Sequence, residues 1–227
     1  MAQQKKNLSR PLLAAAVVVV LLAAIGIGWM LGRGGFDEPT PPATASQDSS
    51  ASTSNGEAAG SCGLPAGSDA APTEAPEATW EVVRGATVPR SQEFGPAKVT
   101  DDGDRACYAR NPTGALFAAV NFIGMPIDVF LEEHITPGPY KDLYDGLEIP
   151  EPTPGEVLTV RGFKVEPKGP DRVTVTVVSS LSTGTTMTAT PGDMVWKDGD
   201  WMVDGTQENQ GSTKVTSLDG YVEWGPK

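Results

Sequence analysis

Hydrophobic and polar positions divide the chain into stretches of distinct texture. From Pro11 to Leu31 the sequence reads PLLAAAVVVVLLAAIGIGWML, without a charge. About 20 apolar residues suffice to cross the hydrocarbon core as a helix, so residues 11–31 are expected to form a transmembrane helix. A cleavable signal peptide is the alternative, but its apolar region usually runs only about 7–15 residues. Residues 32–79 then offer Pro, Ala, Ser, Thr and Gly with almost no large side chain. Such a stretch buries too little surface to offset the entropy of ordering it and is expected to be a disordered linker.

Large apolar residues return at Trp80. Trp80, Val82, Val83 and Val88 predict one short extended segment before a turn at Pro89-Arg90-Ser91. Gly95-Pro96 and Asp101-Asp102-Gly103-Asp104 also read as turns. The run ARNPTGALFAAVNF (109–122) places Pro and Gly directly before apolar residues. Asn111 suits an N-cap and Pro112 the first helical position, where a missing N–H costs nothing. The run therefore predicts a helix that is apolar on every side and buried. Asn121 is its lone polar member, expected to be satisfied by backbone. In a second helix from Pro126, Ile127, Phe130, Leu131, His134 and Ile135 share one face. A third fits PYKDLYDGL, with Tyr140, Leu143, Tyr144 and Leu147 on one stripe.

The remainder alternates as β-strand does. VLTVRGFKVE (157–166) and RVTVTVVSS (172–180) are predicted strands, followed by Thr185–Thr190 and Met194–Trp196, divided at Pro191-Gly192. Asp198-Gly199 between two aromatic strands is a strong hairpin signal. Helices followed by a curved antiparallel meander give an α+β layer over residues 80–205. For residues 206–227, with Val215, Leu218, Tyr221 and Trp224, the pattern does not decide between a strand and a loosely docked tail.

Charge refines this outline. Lys5, Lys6 and Arg10 precede the apolar span and Arg33 follows it, which places residues 1–10 in the cytoplasm and the rest outside. The predicted location is the cell membrane, single-pass, with an extracytoplasmic C-terminal domain. All 29 acidic residues follow Gly35, against 13 of the 17 basic ones. Nucleic-acid binding needs a basic surface, so this balance argues against it. Cys62 and Cys107 both lie on the exported side, where a disulfide is expected. Such a bridge is worth on the order of 4 kcal/mol in the chain-entropy model.

Cys62-Gly63-Leu64, Thr79-Trp80, Pro89-Arg90-Ser91, Gly95-Pro96 and Pro112-Thr113-Gly114-Ala115-Leu116 together resemble an uncharacterised family of actinobacterial single-span membrane proteins. That resemblance covers about residues 60 to 205 and implies a span, a linker and a soluble domain, with no established activity to carry over. More distantly, the order of elements is similar to the NTF2-like fold, helices packed on a curved antiparallel sheet. Among membrane-anchored proteins, scaffold subunits of conjugation and type IV secretion machines share that arrangement. The likeness is architectural and transfers no residues.

The candidate chemistry is sparse. His134, the single histidine, would face a pocket with Phe130 and Tyr144 if the domain encloses one, and could act there as a general base. A core histidine bonded to backbone is the preferred expectation, since no acid is evident on its stripe. Zinc needs three or four ligands, which one His and a bridged Cys pair do not supply. The acidic loop 101–104 lacks the spacing of an EF-hand. No nucleophile elbow and no Gly-rich nucleotide loop occurs, and no cofactor is expected. Trp196 and Trp201 flank the predicted hairpin and are expected to pack on the core; exposed, they would anchor a partner. The expectation is thus a non-enzymatic, membrane-anchored scaffold with protein partners in the envelope. The alternative is a pocketed domain that binds a small apolar ligand or transfers a proton.

Overall fold

The computed structural model describes residues 62–144, 153–207 and 211–227. The expected span at residues 11–31 and most of the linker lie outside these residues. Among the described residues no helix is long and apolar enough to cross a membrane.

Strands β1 (Thr79–Val83) and β2 (Ala86–Arg90) form a hairpin where the sequence predicted one extended segment. Arg84 and Gly85 at its tip both have positive φ, 47° and 76°, the geometry whose twist suits a two-residue hairpin. Pro89 belongs to β2, opposite Trp80. The turn starts instead at Ser91, whose Oγ accepts the N–H groups of Glu93 and Phe94. A small second sheet pairs β3 (Lys98–Val99) with β4 (Arg105–Ala106).

Helix α1 (Pro112–Phe122) is almost wholly buried, as its all-round apolar pattern predicts. The Asn111 side chain accepts the N–H of Gly114 at 2.7 Å, and Pro112 opens the first turn. A Cβ at Gly114 would stand 2.0 Å from the Ala109 carbonyl oxygen, so only glycine lets the helix start this close to the incoming chain. Helix α2 (Ile127–Glu133) turns Asp128, Glu132 and Glu133 to solvent, and His134 caps its C-terminal end. Helix α3 spans only Pro139–Asp142. Its expected stripe does not hold: Leu143 is 56% exposed. Leu147 lies outside the described residues.

The main sheet continues with β5 (Leu158–Gly169), β6 (Arg172–Leu181), β7 (Met187–Lys197) and β8 (Asp200–Val203), in the order β1-β2-β5-β6-β7-β8. Val and Thr dominate β5 and β6 because branched side chains fit a pleated surface. The break expected at Pro191-Gly192 does not occur, and β7 runs through it. On its outer flank these two residues fall between the pairing of β9 (Thr213–Val215), which ends at Ala189, and that of β8, which begins at Met194. A proline there need not remove a ladder bond. Asp198 and Gly199 carry φ 53° and 92° in the predicted β7–β8 hairpin. The last residues add β9 and β10 (Val222–Glu223), the latter on β5. Pairing is antiparallel except between β2 and β5, so the sheet is mixed and curled around α1. Tyr108, Leu116, Phe117, Phe163, Val175, Trp201 and Trp224 lie at the centre of this α+β core.

Candidate functional site

The chain entering the domain from Cys62 to Ala78 forms no helix or strand, yet it lies against the folded surface. Its first end is covalently fixed: Cys62 and Cys107 are bridged, with Cα atoms 5.5 Å apart. Leu64 is buried beside the bridge. Asn111, besides capping α1, donates through Nδ2 to the Ala66 carbonyl at 2.7 Å. Ala71 and Ala78 pack on the core, and the Trp224 indole N–H reaches the Pro76 carbonyl at 2.9 Å. This strap walls one side of an open groove of about 1740 Å³. The Ser91–Ala97 loop and the C-terminal residues from Glu223 form the other sides.

Each wall follows from local structure. Ser91 turns the loop with its own hydroxyl, which accepts the Glu93 and Phe94 N–H groups. The register of β5 on β6 slips between Val160 and Gly162. Bulges re-aim side chains, and the displaced residue, Arg161, lines the groove and donates to Ser180. Trp80 is half-buried, edge-on to Trp224 at 4.8 Å. Around these rings stand Arg90, Arg161 and Lys227 with Glu77, Glu93 and Glu223. The lining thus combines aromatic rings with charges of both signs.

Asp200 immobilises the bridge's domain side. Its carboxylate accepts the N–H groups of Cys107 (2.6 Å), Tyr108 (3.0 Å) and Trp201 (2.9 Å). Burial pushes the Asp200 pKa up, while these three donors pull against it. Cys107 has φ 70°, a conformation that costs a non-glycine residue energy and persists where the surroundings over-determine it. Tyr108 is pushed well above its ordinary value, first by burial and then by the Asp200 charge.

The other sequence candidates lie elsewhere. His134 is buried, and its partner is a carboxylate, not the expected backbone: Nε2 stands 2.7 Å from Asp104 Oδ1. That acid comes from the 101–104 turn, which no stripe on the helix could reveal. The His134 and Phe130 rings both lie against Phe122, at 4.8 and 5.8 Å. Tyr144 is not with them; its hydroxyl meets that of Tyr140 at 3.2 Å. None of the three lines the groove. Trp201 is completely buried and donates to the Ala109 carbonyl, so it cannot anchor a partner. Trp196 stays half-buried, edge-on to Trp201 with the Arg110 guanidinium over its ring. Composition hid the strap and the groove, because both depend on a poorly apolar segment meeting residues far along the chain.

A curled α+β domain with a strapped groove is the class these features define. The chain belongs to the DUF8175 family, described as a domain of unknown function, whose model matches residues 40–223. No curated protein and no solved structure matches it.

Proposed function

We propose that this protein is a non-enzymatic, membrane-anchored interaction domain, held outside the cytoplasmic membrane by residues 11–31 and presenting its groove to a protein partner in the envelope. The open groove beside the tethered end of the domain is the observation that carries this reading. Its openness and its mixed charges suit a segment of another protein better than an enclosed small molecule. An NTF2-like relationship, and with it a place as an accessory subunit of a conjugation or secretion complex, is the finer form of the same proposal. The order of elements from α1 onward supports that form: the buried helix, two short helices, then the long β5–β7 meander of the sheet that curls around α1.

A second reading takes the Asp104–His134 pair as a proton-transfer or ligand site, since a carboxylate that orients a histidine is a common catalytic arrangement. One set of experiments separates the two. A photo-cross-linker placed at Glu93, on the groove loop, is expected to capture a specific envelope protein in intact cells. His134→Gln is expected to leave that capture unchanged. Capture of nothing specific by the well-expressed protein would sink the interaction reading. Loss of cellular function in His134→Gln with unchanged stability would favour the second.

A further inference from the structure

We propose that two copies of this chain join through β1: the outer edge of Thr79–Val83 pairs antiparallel with the same edge of a second copy across a two-fold axis, and the sheet continues from one domain into the next. This contact goes beyond the groove reading and needs no further envelope protein.

β1 ends the strand order of the main sheet, and β2 pairs with only one of its sides. Pro89, opposite Trp80, has no N–H, so that pair is of the kind that exchanges no hydrogen bonds. The two-residue turn at Arg84-Gly85 gives the same alternation, because it makes Val83–Ala86 the bonded closing pair. Trp80 and Val82 therefore turn their N–H and C=O groups away from β2. Among the described residues no hydrogen bond reaches these four groups. Native sheets blunt such an edge with Lys, Pro, a bulge or a covering element. β1 reads TWEVV, without Lys or Pro, and pairs with β2 without a register shift. Val82 is 62% exposed, more than any other large apolar side chain among the described residues.

The edge is its own complement. With Glu81 opposite the second copy's Glu81, Trp80 meets the second copy's Val82, and Val82 meets its Trp80. All four outward groups of each copy are then paired. Shifting the register to the next bonded position either way sets Trp80 or Val82 against a residue outside the strand. An aromatic ring against a β-branched side chain is a favourable cross-strand pair, and it covers Val82 with an indole. Thr79 faces Val83, again two strand-forming residues. Glu81 against Glu81 would be a destabilising like-charge pair, but each carboxylate is already neutralised within its own domain by the Arg105 guanidinium. A two-fold contact closes on itself, so association stops at two. So short an edge makes few bonds, and anchorage of both copies in one membrane, as proposed above, raises the local concentration at which they meet.

The test uses the full-length, 15N-labelled protein in detergent micelles, with its mass read by sedimentation and the Trp80 and Val82 amides read by hydrogen exchange. A dimer is expected, with both amides exchanging at least tenfold more slowly than after dilution to the monomer. Val82→Lys places a charge on the edge at an exposed position. It is expected to give a monomer with fast amides and an unchanged circular dichroism spectrum. A monomer at the highest concentration reached would overturn the inference. A dimer whose two amides stay fast, or which survives Val82→Lys, would overturn it too, since another surface would then hold the copies together. In cells, a photo-cross-linker at the exposed Thr79 is expected to give a product of twice the chain's mass. Capture of a different protein alone would assign the edge to that protein and overturn the self-pairing. No other protein enters the micelle measurement, so its failure is distinct from a failure to capture a partner at Glu93.

Discussion

Arg105 is a charged residue with 3% of its surface exposed, and its place depends on two partners from other elements. Its Nε donates to Asn121 Oδ1 at 2.7 Å, and its guanidinium pairs with Glu81 of β1. Asn121 spends its own N–H groups on the Pro89 and Phe117 carbonyls. Backbone satisfaction of Asn121 was legible from the sequence; the arginine was not. Asp204 shows the same economy. Burial alone would raise its pKa, but the Thr206 hydroxyl and N–H and the Arg172 guanidinium outweigh it and hold the carboxyl below its usual value. A carboxylate with a depressed folded pKa contributes stability above its unfolded value of about 4 and loses it as the pH falls through the lower folded value. Asp204→Asn is therefore expected to cost about 1–2 kcal/mol at neutral pH. Urea unfolding of both proteins should show that difference shrink steadily below about pH 4.

At the scale of the element, α1 carries the most information. Its cap, its proline and its apolar face were readable in NPTGALFAAV, because each acts within one helical turn. The need for Gly114 was not readable, since the Ala109 carbonyl approaches it only through the turn that precedes the helix. Gly114→Ala is expected to destabilise the domain by about 3 kcal/mol, the cost of overpacking with backbone as the obstacle. Thermal melting followed by circular dichroism checks this, and a change below ~0.5 kcal/mol would show that the turn relaxes freely. The uninterrupted β7 teaches the converse. Pro191 reads locally as a strand breaker, and only the gap between β9 and β8 on its flank makes it tolerable.

Across the whole molecule, Trp224 joins segments that are far apart in sequence. Its ring meets Trp80 of β1, Phe117 of α1 and Phe163 of β5, and its N–H takes Pro76 of the strap. The sequence pattern left residues 206–227 undecided between a strand and a tail, and this one side chain shows why they are integral. Trp224→Ala is expected to cost roughly 3–5 kcal/mol, as large aromatic deletions in cores do. Denaturant unfolding measures it, and an unchanged midpoint would mean that the C-terminal stretch is dispensable to the core.

What the sequence determined by itself is everything encoded at short range. The α+β order, the capped buried helix, the Asp198-Gly199 hairpin and the long strands rest on periodicity and turn chemistry within a few residues. The expectation of an exported domain likewise sufficed to expect the bridge between Cys62 and Cys107. The tertiary structure alone decided which distant groups meet: Asp104 with His134, Arg105 with Glu81 and Asn121, the strap with Trp224, and hence the groove. Those pairings arise from the curl of the sheet around α1. That curl brings together residues separated by as many as 148 positions, and no local pattern records such a distance.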